Sequence, residues 1–392
     1  PICTLYITMR DNYMDCPERE RAQWWGDEVN ELGEAFYALS TSSHQLAVKG
    51  IHELMNWQRA DGSLFAPVPA GNWSKELPLQ ILASVGWYGF YTQYYYSGDS
   101  TFIPAIYDRL HRYLHETWKV DKSGLPVERS GEWSWGDWGE QIDMGVLTNC
   151  WYYLALKAEK VFALQLGKKA DAEEIDRMMY SIEKCFNTKF WTGTAYRSPG
   201  YHGENDDRAQ AMAVLSGLAS KDKYPFILKL LKKEYHASPY MEKYVLEALF
   251  HIGAPDVALQ RMRDRYAGML GYKEYTTLFE GWGVGVDGFG GGTINHAWSG
   301  GPLTLLSQKV CGIEPPSPGF KTFQVKPQMG SLTEASATVA THYGEIKVDL
   351  RKSGRNILVE IQVPEQTTAI VISPKGKAYK VGPGAHNLKC PF

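Results

Sequence analysis

The feature that most limits what this chain can fold into is its hydrophobic period. From about Asp27 to Cys311, apolar residues recur mostly at helical spacing. The pattern predicts helices over Asp27–Leu39 (Val29, Leu32, Phe36, Leu39) and Ser42–Gln58 (Leu46, Ile51, Leu54, Met55). It continues over Glu76–Tyr96, Thr101–Trp118, Asp143–Leu166, Ala172–Phe186, Asp206–Leu218, Tyr224–Tyr235, Tyr240–Ile252, Pro255–Leu270 and Thr293–Cys311. A further, shortened helix is expected before Asp15. Asp206 stands where an N-cap belongs, and Pro255 sits in a first turn, where its missing N–H costs no hydrogen bond.

About a dozen successive helices form either a solenoid or a closed ring of hairpins. No 34- or 40-residue self-similarity is present, which argues for the ring. The connections alternate in character. Ser220–Lys223 is short and polar, whereas Asp61–Lys75, Ser130–Asp143, Trp191–Glu204 and Tyr272–Gly292 are long and rich in Trp and Gly. Long loops on a compact scaffold are where function concentrates, and this alternation suits a double ring whose long loops open on one face. From Gly312 the texture changes. Pro315, Pro316 and Pro318 interrupt the chain, and alternating strands are expected at Ala335–Thr341, Glu345–Arg351, Ile357–Val363 and Ala369–Ile372. The expected division is a helical domain over 1–311 and a small β-sandwich over 312–392.

Composition removes several functions. Net charge is −3, so no basic field draws the chain to nucleic acid or a membrane surface. No apolar run approaches the roughly 18 residues of a membrane span. Six cysteines without a C-x-x-C, and histidines without an H-E-x-x-H, suggest neither a disulfide scaffold nor a zinc site. No Gly-x-Ser-x-Gly elbow or phosphate loop is present. No metal or cofactor is expected. No signal peptide is visible, and the chain opens at Pro1 inside an apparently ordered element, as a fragment of a longer protein would. A soluble protein is expected. The 13 Trp, 24 Tyr and 14 Phe supply a thick core, or flat platforms for an apolar or carbohydrate ligand.

Three segments combine carboxylates with rings. Asp15–Asp27 holds Asp15, Glu18, Glu20 and Asp27 with Arg19 and Arg21, beside Trp24 and Trp25. Buried, these charges must pair, with Asp15, Arg19 and Asp27 interlocking, and such a network can keep one carboxyl protonated and another ionised. Exposed, they form a charged turn before a helix. Thr276–Trp282 carries Glu280 at a helix-to-loop edge, then the glycine-rich Gly283–Gly292 and Asn295-His296-Ala297-Trp298. Glu280 is either a functional carboxylate or a surface cap, and His296 either a site residue or a satisfied core histidine. Ser130–Trp138 reads as a sugar platform of Trp133, Trp135 and Trp138 with Asp137 as a hydrogen-bonding carboxylate, or as an aromatic plug. Asn72, Trp73 and Glu76 are weaker ligand contacts, and Asn205–Gln210 reads mostly as a helix N-cap. Trp282 clusters with the other loop indoles. Carboxylates facing aromatics suit glycosidic-bond chemistry best.

The segment Asp15-Cys16-Pro17-Glu18-Arg19-Glu20-Arg21, followed by Trp24 and Gly26-Asp27, resembles the signature of bacterial α-L-rhamnosidases of glycoside hydrolase family 78. Gly136-Asp137-Trp138, Asp206–Leu218, Leu246–Leu249, Thr276–Trp282, Asn295–Ala297 and Gly319–Pro327 are similar to family segments in the same order. The resemblance implies an (α/α)6 barrel and inverting hydrolysis of terminal α-L-rhamnose from a rhamnoside. Glu20 would be the general acid and Glu280 the general base. Set among other carboxylates and rings, Glu20 is expected to have a raised pKa. Asp15, Arg19 and Asp27 would hold sugar hydroxyls, and Trp24, Trp138 and His296 would line the pocket. The family's N-terminal β-domains are expected on a longer parent chain, in the bacterial cytoplasm or periplasm. Another (α/α)6 glycosidase of different sugar specificity, or a non-catalytic sugar-binding relative, are the alternatives.

Overall fold

The computed structural model describes residues 1–70, 74–284 and 292–391. In chain order the helices are α1 (Ile2–Ile7), α2 (Trp25–Ala38), α3 (Ser43–Asn56), α4 (Pro78–Val85), α5 (Phe90–Ser97) and α6 (Ile103–Arg112). They continue with α7 (Met144–Gln165), α8 (Lys169–Phe190), α9 (Asp207–Ser216), α10 (Tyr224–Leu231), α11 (Pro239–Ile252), α12 (Pro255–Gly271) and α13 (Gly301–Leu305). Six of them, α2, α4, α7, α9, α11 and α13, each touch the next, and α13 returns to α2. That closes an inner ring. Helices α3, α6, α8, α10 and α12 pack outside it, giving the (α/α)6 barrel that the family resemblance implied.

The inner helices are mostly buried, because each faces both its outer partner and the ring interior. All of α4 is buried, as is all of α2 except Ala38. The expected Glu76–Tyr96 helix is two helices, and glycines explain the break. A Cβ on Gly89 would lie 1.9 Å from the Ser84 carbonyl oxygen, and one on Gly86 would lie 2.5 Å from that of Leu82. Only glycine permits those approaches. The expected Thr293–Cys311 helix starts late. Residues 293–296 are extended, and a 3₁₀ turn (Ala297–Gly300) precedes α13 and a π turn (Leu306–Val310) follows it. Asp206 does cap α9, accepting the Arg208 N–H at 3.1 Å.

The C-terminal region is a sandwich of two four-stranded sheets. The strands are β1 (Ile313–Glu314), β2 (Thr322–Val325), β3 (Glu334–Thr341), β4 (Gly344–Ser353), β5 (Asn356–Val363), β6 (Thr368–Ile372), β7 (Ala378–Val381) and β8 (Gly384–Pro391). Their orders are β1-β2-β6-β7 and β3-β4-β5-β8. The four anticipated strands are β3 to β6. The other four escaped the period-2 signal because they are short or, like β8, largely polar. Strand β8 is held by pairing along β5, from Asn356 opposite Pro391 to Val363 opposite Gly384. The sandwich docks on the barrel through Tyr37 Oη, which donates to the Ile313 carbonyl at 2.7 Å, and the Gly319 N–H, which donates to the Tyr95 carbonyl at 2.9 Å. Among the described residues no helix is long and apolar enough to cross a membrane.

Candidate active site

At one end of the ring lies a cavity of about 350 Å³, lined by Asp15, Arg19, Glu20, Trp24, Asp27, Leu77, Gln80, Trp133, Trp135, Trp138, Glu280, His296 and Trp298. Its size is within the range of small-ligand sites, which start near ~300 Å³. One wall is the loop before α2. Asp15 closes this loop at its base: its N–H donates to the Ala22 carbonyl at 3.1 Å, and its Oδ1 accepts the Ala22 N–H at 3.0 Å. Arg21 adopts a left-handed backbone, φ 53°, which turns the chain so that Glu20 faces the cavity.

Arg19 holds the centre. Its Nε lies 2.7 Å from Glu20 Oε2 and its Nη2 lies 3.4 Å from Glu280 Oε1. One guanidinium therefore spans two carboxylates far apart in sequence. Its expected partners Asp15 and Asp27 are engaged elsewhere. Asp15 is hydrogen-bonded to Glu20, and Asp27 Oδ1 sits 2.6 Å from His296 Nε2. Asp15 and Glu20 behave as a pair sharing a proton. Burial, reinforced by the hydrogen bond to Glu20, pushes Asp15 up to about 10. Burial pushes Glu20 upward too, but the hydrogen bonds from Asp15 and Arg19 outweigh it and bring Glu20 below its ordinary value. The raised carboxyl is thus Asp15, not Glu20 as its neighbouring carboxylates and rings suggested.

Glu280 belongs to a loop, not a helix edge. Residues 278–280 and 293–296 run side by side: the Glu280 N–H donates to the Thr293 carbonyl and the His296 N–H to the Leu278 carbonyl, both at 2.9 Å. Glu280 is 1% exposed. Thr293 gives Glu280 Oε2 its N–H at 3.2 Å and its hydroxyl at 3.0 Å, and Arg19 reaches the other oxygen. Behind Thr293 stands His296, whose Nδ1 is 2.8 Å from the Thr293 hydroxyl. Burial disfavours charge on His296, but the hydrogen bond to Asp27 overcomes this and raises its pKa well above the ordinary value. A charged His296 donates from both ring nitrogens, which leaves the Thr293 hydroxyl free to donate to Glu280. Glu18 ties the loop before α2 to the 293–296 segment, with its Oε1 accepting from Asn295 Nδ2 at 2.9 Å.

Indoles make the remaining walls. Trp298 stacks on Trp135 at 6.0 Å and packs on His296 at 4.3 Å, and its Nε1 donates to the Glu280 carbonyl at 2.9 Å. Trp138 lies 5.6 Å from Trp133 and 5.7 Å from Trp135. Such faces suit the C–H side of a sugar ring.

Three anticipated site residues lie outside the lining. Asp137 is fully buried behind the indoles. It is 3.1 Å from Arg208 Nη1, accepts the Ser238 N–H at 2.9 Å and is also bonded to the Ser238 hydroxyl, fixing the start of α11. Glu76 spends both oxygens on Arg129, at 2.7 Å each. Trp282 donates its Nε1 to the Ala237 carbonyl at 2.9 Å and lies under the Arg265 guanidinium. In each case a long-range partner, invisible in sequence, holds the side chain. Asn72, Trp73 and most of the Gly283–Gly292 loop lie outside the described residues. Gln80 and Leu77 were not anticipated. A lone polar residue in the apolar run Leu77–Ala83 was the available signal for Gln80. Asp15, Cys16 and Glu20 also bring three donor atoms within 4.8 Å of one another, but the Cys16 thiol donates to Asp15 at 3.2 Å and Arg19 takes Glu20.

A closed ring of helical hairpins with two facing carboxylates in an indole-lined cavity defines a six-hairpin glycosidase scaffold. The chain belongs to the bacterial α-L-rhamnosidase family: the model of the bacterial α-L-rhamnosidase 6 hairpin glycosidase domain matches residues 2–310, and that of the family's C-terminal domain matches 312–387. It is 21% identical to an α-L-rhamnosidase of Alteromonas sp. (strain LOR), over 92% of this chain and 41% of that protein. One from Formosa agariphila is likewise 21% identical, over 93% of this chain and 42% of its own length. The chain thus spans about two fifths of these relatives. Among solved structures it resembles the α-L-rhamnosidase of Dictyoglumus thermophilum (TM-score 0.87, 20% identity, 100% of this chain and 48% of that one). It also resembles that of Streptomyces avermitilis in complex with L-rhamnose (TM-score 0.82, 20% identity, 98% and 41%).

Proposed function

We propose that this domain hydrolyses terminal α-L-rhamnosides with inversion. Glu20 is the general acid and Glu280 the general base. The observation that carries the reading is the Arg19 bridge, which brings the two carboxylates to one cavity mouth. Inverting pairs stand roughly 6.5–9.5 Å apart to admit a water, and a guanidinium with a hydrogen bond on each side fits such a gap. Water attacks the anomeric carbon on the face opposite the leaving oxygen. Glu280 takes the water's proton as the glycosidic C–O bond breaks. Glu20 gives its proton to the departing oxygen, and the products are β-L-rhamnose and the free alcohol. The Asp15–Glu20 pair holds the proton this step consumes. When Arg19 turns to a sugar hydroxyl, Glu20 loses the contact that favours its charge and takes up that proton. Asp27, charged His296, Trp24, Trp135 and Trp138 bind the ring, and Leu77 gives the C6 methyl an apolar wall.

The reading divides the chain into a catalytic 1–311 and a supporting 312–392, in keeping with family matches that meet at the same point. The relatives' greater length supports further N-terminal β-domains on a longer parent, shaping the aglycone side.

The test follows p-nitrophenyl α-L-rhamnoside hydrolysis by NMR, with β-L-rhamnose as the expected first product. Glu280→Gln should lower kcat by about 10²–10⁴-fold on any rhamnoside. Glu20→Gln should do so on alkyl rhamnosides and much less on the aryl one, whose leaving group needs little acid help. Parent-like rates in both variants, or α-rhamnose as first product, would sink the reading.

A further inference from the structure

Away from the cavity, α6 and α7 share a cluster with no part in the proposed chemistry. His111 and His115 stand four residues apart, a spacing that puts both rings on one helical face. Just there the helix changes register. Residues Tyr113–Thr117 form a π turn, closed by the Trp118 N–H on the Tyr113 carbonyl at 3.2 Å. Such widenings are rare and frequently mark functional sites. The two imidazoles stack at 4.0 Å and 25°, and Tyr107 stacks on His111 one turn earlier at 18°. This ladder aims both rings at Glu159, a carboxylate from mid-α7 with no exposed surface. His111 Nδ1 is 2.8 Å from Glu159 Oε1, and His115 Nε2 is 3.1 and 2.9 Å from its two oxygens.

We propose that His111, His115 and Glu159 form a site for a divalent late first-row transition metal, with zinc as the ion assigned. A buried carboxylate needs a counter-charge, and two imidazole nitrogens with one carboxylate oxygen are a familiar zinc donor set. All the donor atoms lie within 4.8 Å of one another. A tetrahedral ion with bonds of about 2.0–2.1 Å has donor–donor edges of about 3.3 Å. The nitrogen–oxygen separations of 2.8, 3.1 and 2.9 Å fall just short of that, so the carboxylate admits the ion by a few tenths of an ångström of side-chain movement. His111 is 32% exposed, which gives an entry path and leaves the fourth position to water. The ion staples the widened end of α6 to α7, immediately before the connection that carries Trp133, Trp135 and Trp138.

Zinc titration calorimetry on the full chain, with Co²⁺ as a spectroscopic probe, tests this. One equivalent of zinc should bind, and bound Co²⁺ should show the intense visible bands of a low-coordinate site. His115→Ala and the shape-conserving Glu159→Gln should each weaken binding at least tenfold and abolish those bands. Cys16→Ser, at the Asp15–Cys16–Glu20 cluster, should bind as the parent does. Far-UV circular dichroism checks that each variant folds, and His111→Asn, at a half-exposed position, provides a third ligand deletion. Absence of zinc binding by the parent overturns the proposal. So does binding unchanged in all three ligand variants, or binding lost in Cys16→Ser.

Discussion

Arg19 is the residue on which the two carboxylates depend. It is 41% exposed, so its ion pairs add little to stability and its effect is on geometry and proton affinity. Replacing it with Ala frees Glu20 and Glu280 to drift, and a displacement of about 1 Å costs on the order of 100-fold in rate. Loss of the cation also removes one of the contacts that hold Glu20 low. The alkaline limb of the kcat/KM profile should therefore move to higher pH in Arg19→Ala, read from a pH–rate series on the aryl rhamnoside. Lys should recover only part of the loss, because one ammonium cannot present the two-nitrogen fork. Much of this was legible: every acidic residue of the Asp15–Asp27 segment named for the site lines the cavity. What the segment could not reveal was who pairs with whom, since Arg19 and Asp27 find partners beyond Leu278.

At the scale of elements, the indole loop is held by the start of α9. Arg208 is fully buried and donates to Asp206 Oδ1 at 2.6 Å, Asp137 Oδ2 at 3.1 Å and the Glu140 and Gln141 carbonyls at 2.6 and 2.9 Å. This side chain joins the bonds from Ser238 and Glu76 in holding the 130–143 loop, and with it Trp135 and Trp138. Arg208→Met should destabilise the protein by about 3–5 kcal/mol, because Asp137 and Asp206 are left buried without a counter-charge. The urea midpoint measures that loss, and the surviving folded fraction should show a raised KM. Read locally, Asn205–Gln210 is a helix N-cap, and Asp206 is one. The longer reach of Arg208 depends on which loop the ring closure delivers to it.

For the molecule as a whole, closing the ring buries acids that a single helix would leave in water. Glu28, Glu31 and Glu34 lie on α2 and none is exposed. Burial holds all three well above the ordinary carboxylate value. Unfolded, they ionise near pH ~4.3. Above that pH the native state binds more protons than the unfolded one, so stability falls as pH rises from there toward the folded pKa values. Melting temperature should be higher at pH 5 than at pH 8, and Glu34→Gln should flatten the slope. Glu34 also shows how tight the closure is: a Cβ on Gly300 would meet its Oε2 at 2.0 Å.

By itself the sequence determined the succession of helices, the change to strands after Gly312 and the acidic motif with its indoles. Those properties are local: a period, a turn residue or a run of like chemistry is complete within a few residues. Tertiary structure decided the rest. It sent Asp137, Glu76 and Trp282 to anchoring partners and recruited Gln80 from an apolar run. It also gave the raised pKa to Asp15 instead of Glu20, and it buried both faces of α2. Burial, ion pairing and proton affinity depend on what arrives from elsewhere in the chain, and only the closed ring settles what arrives.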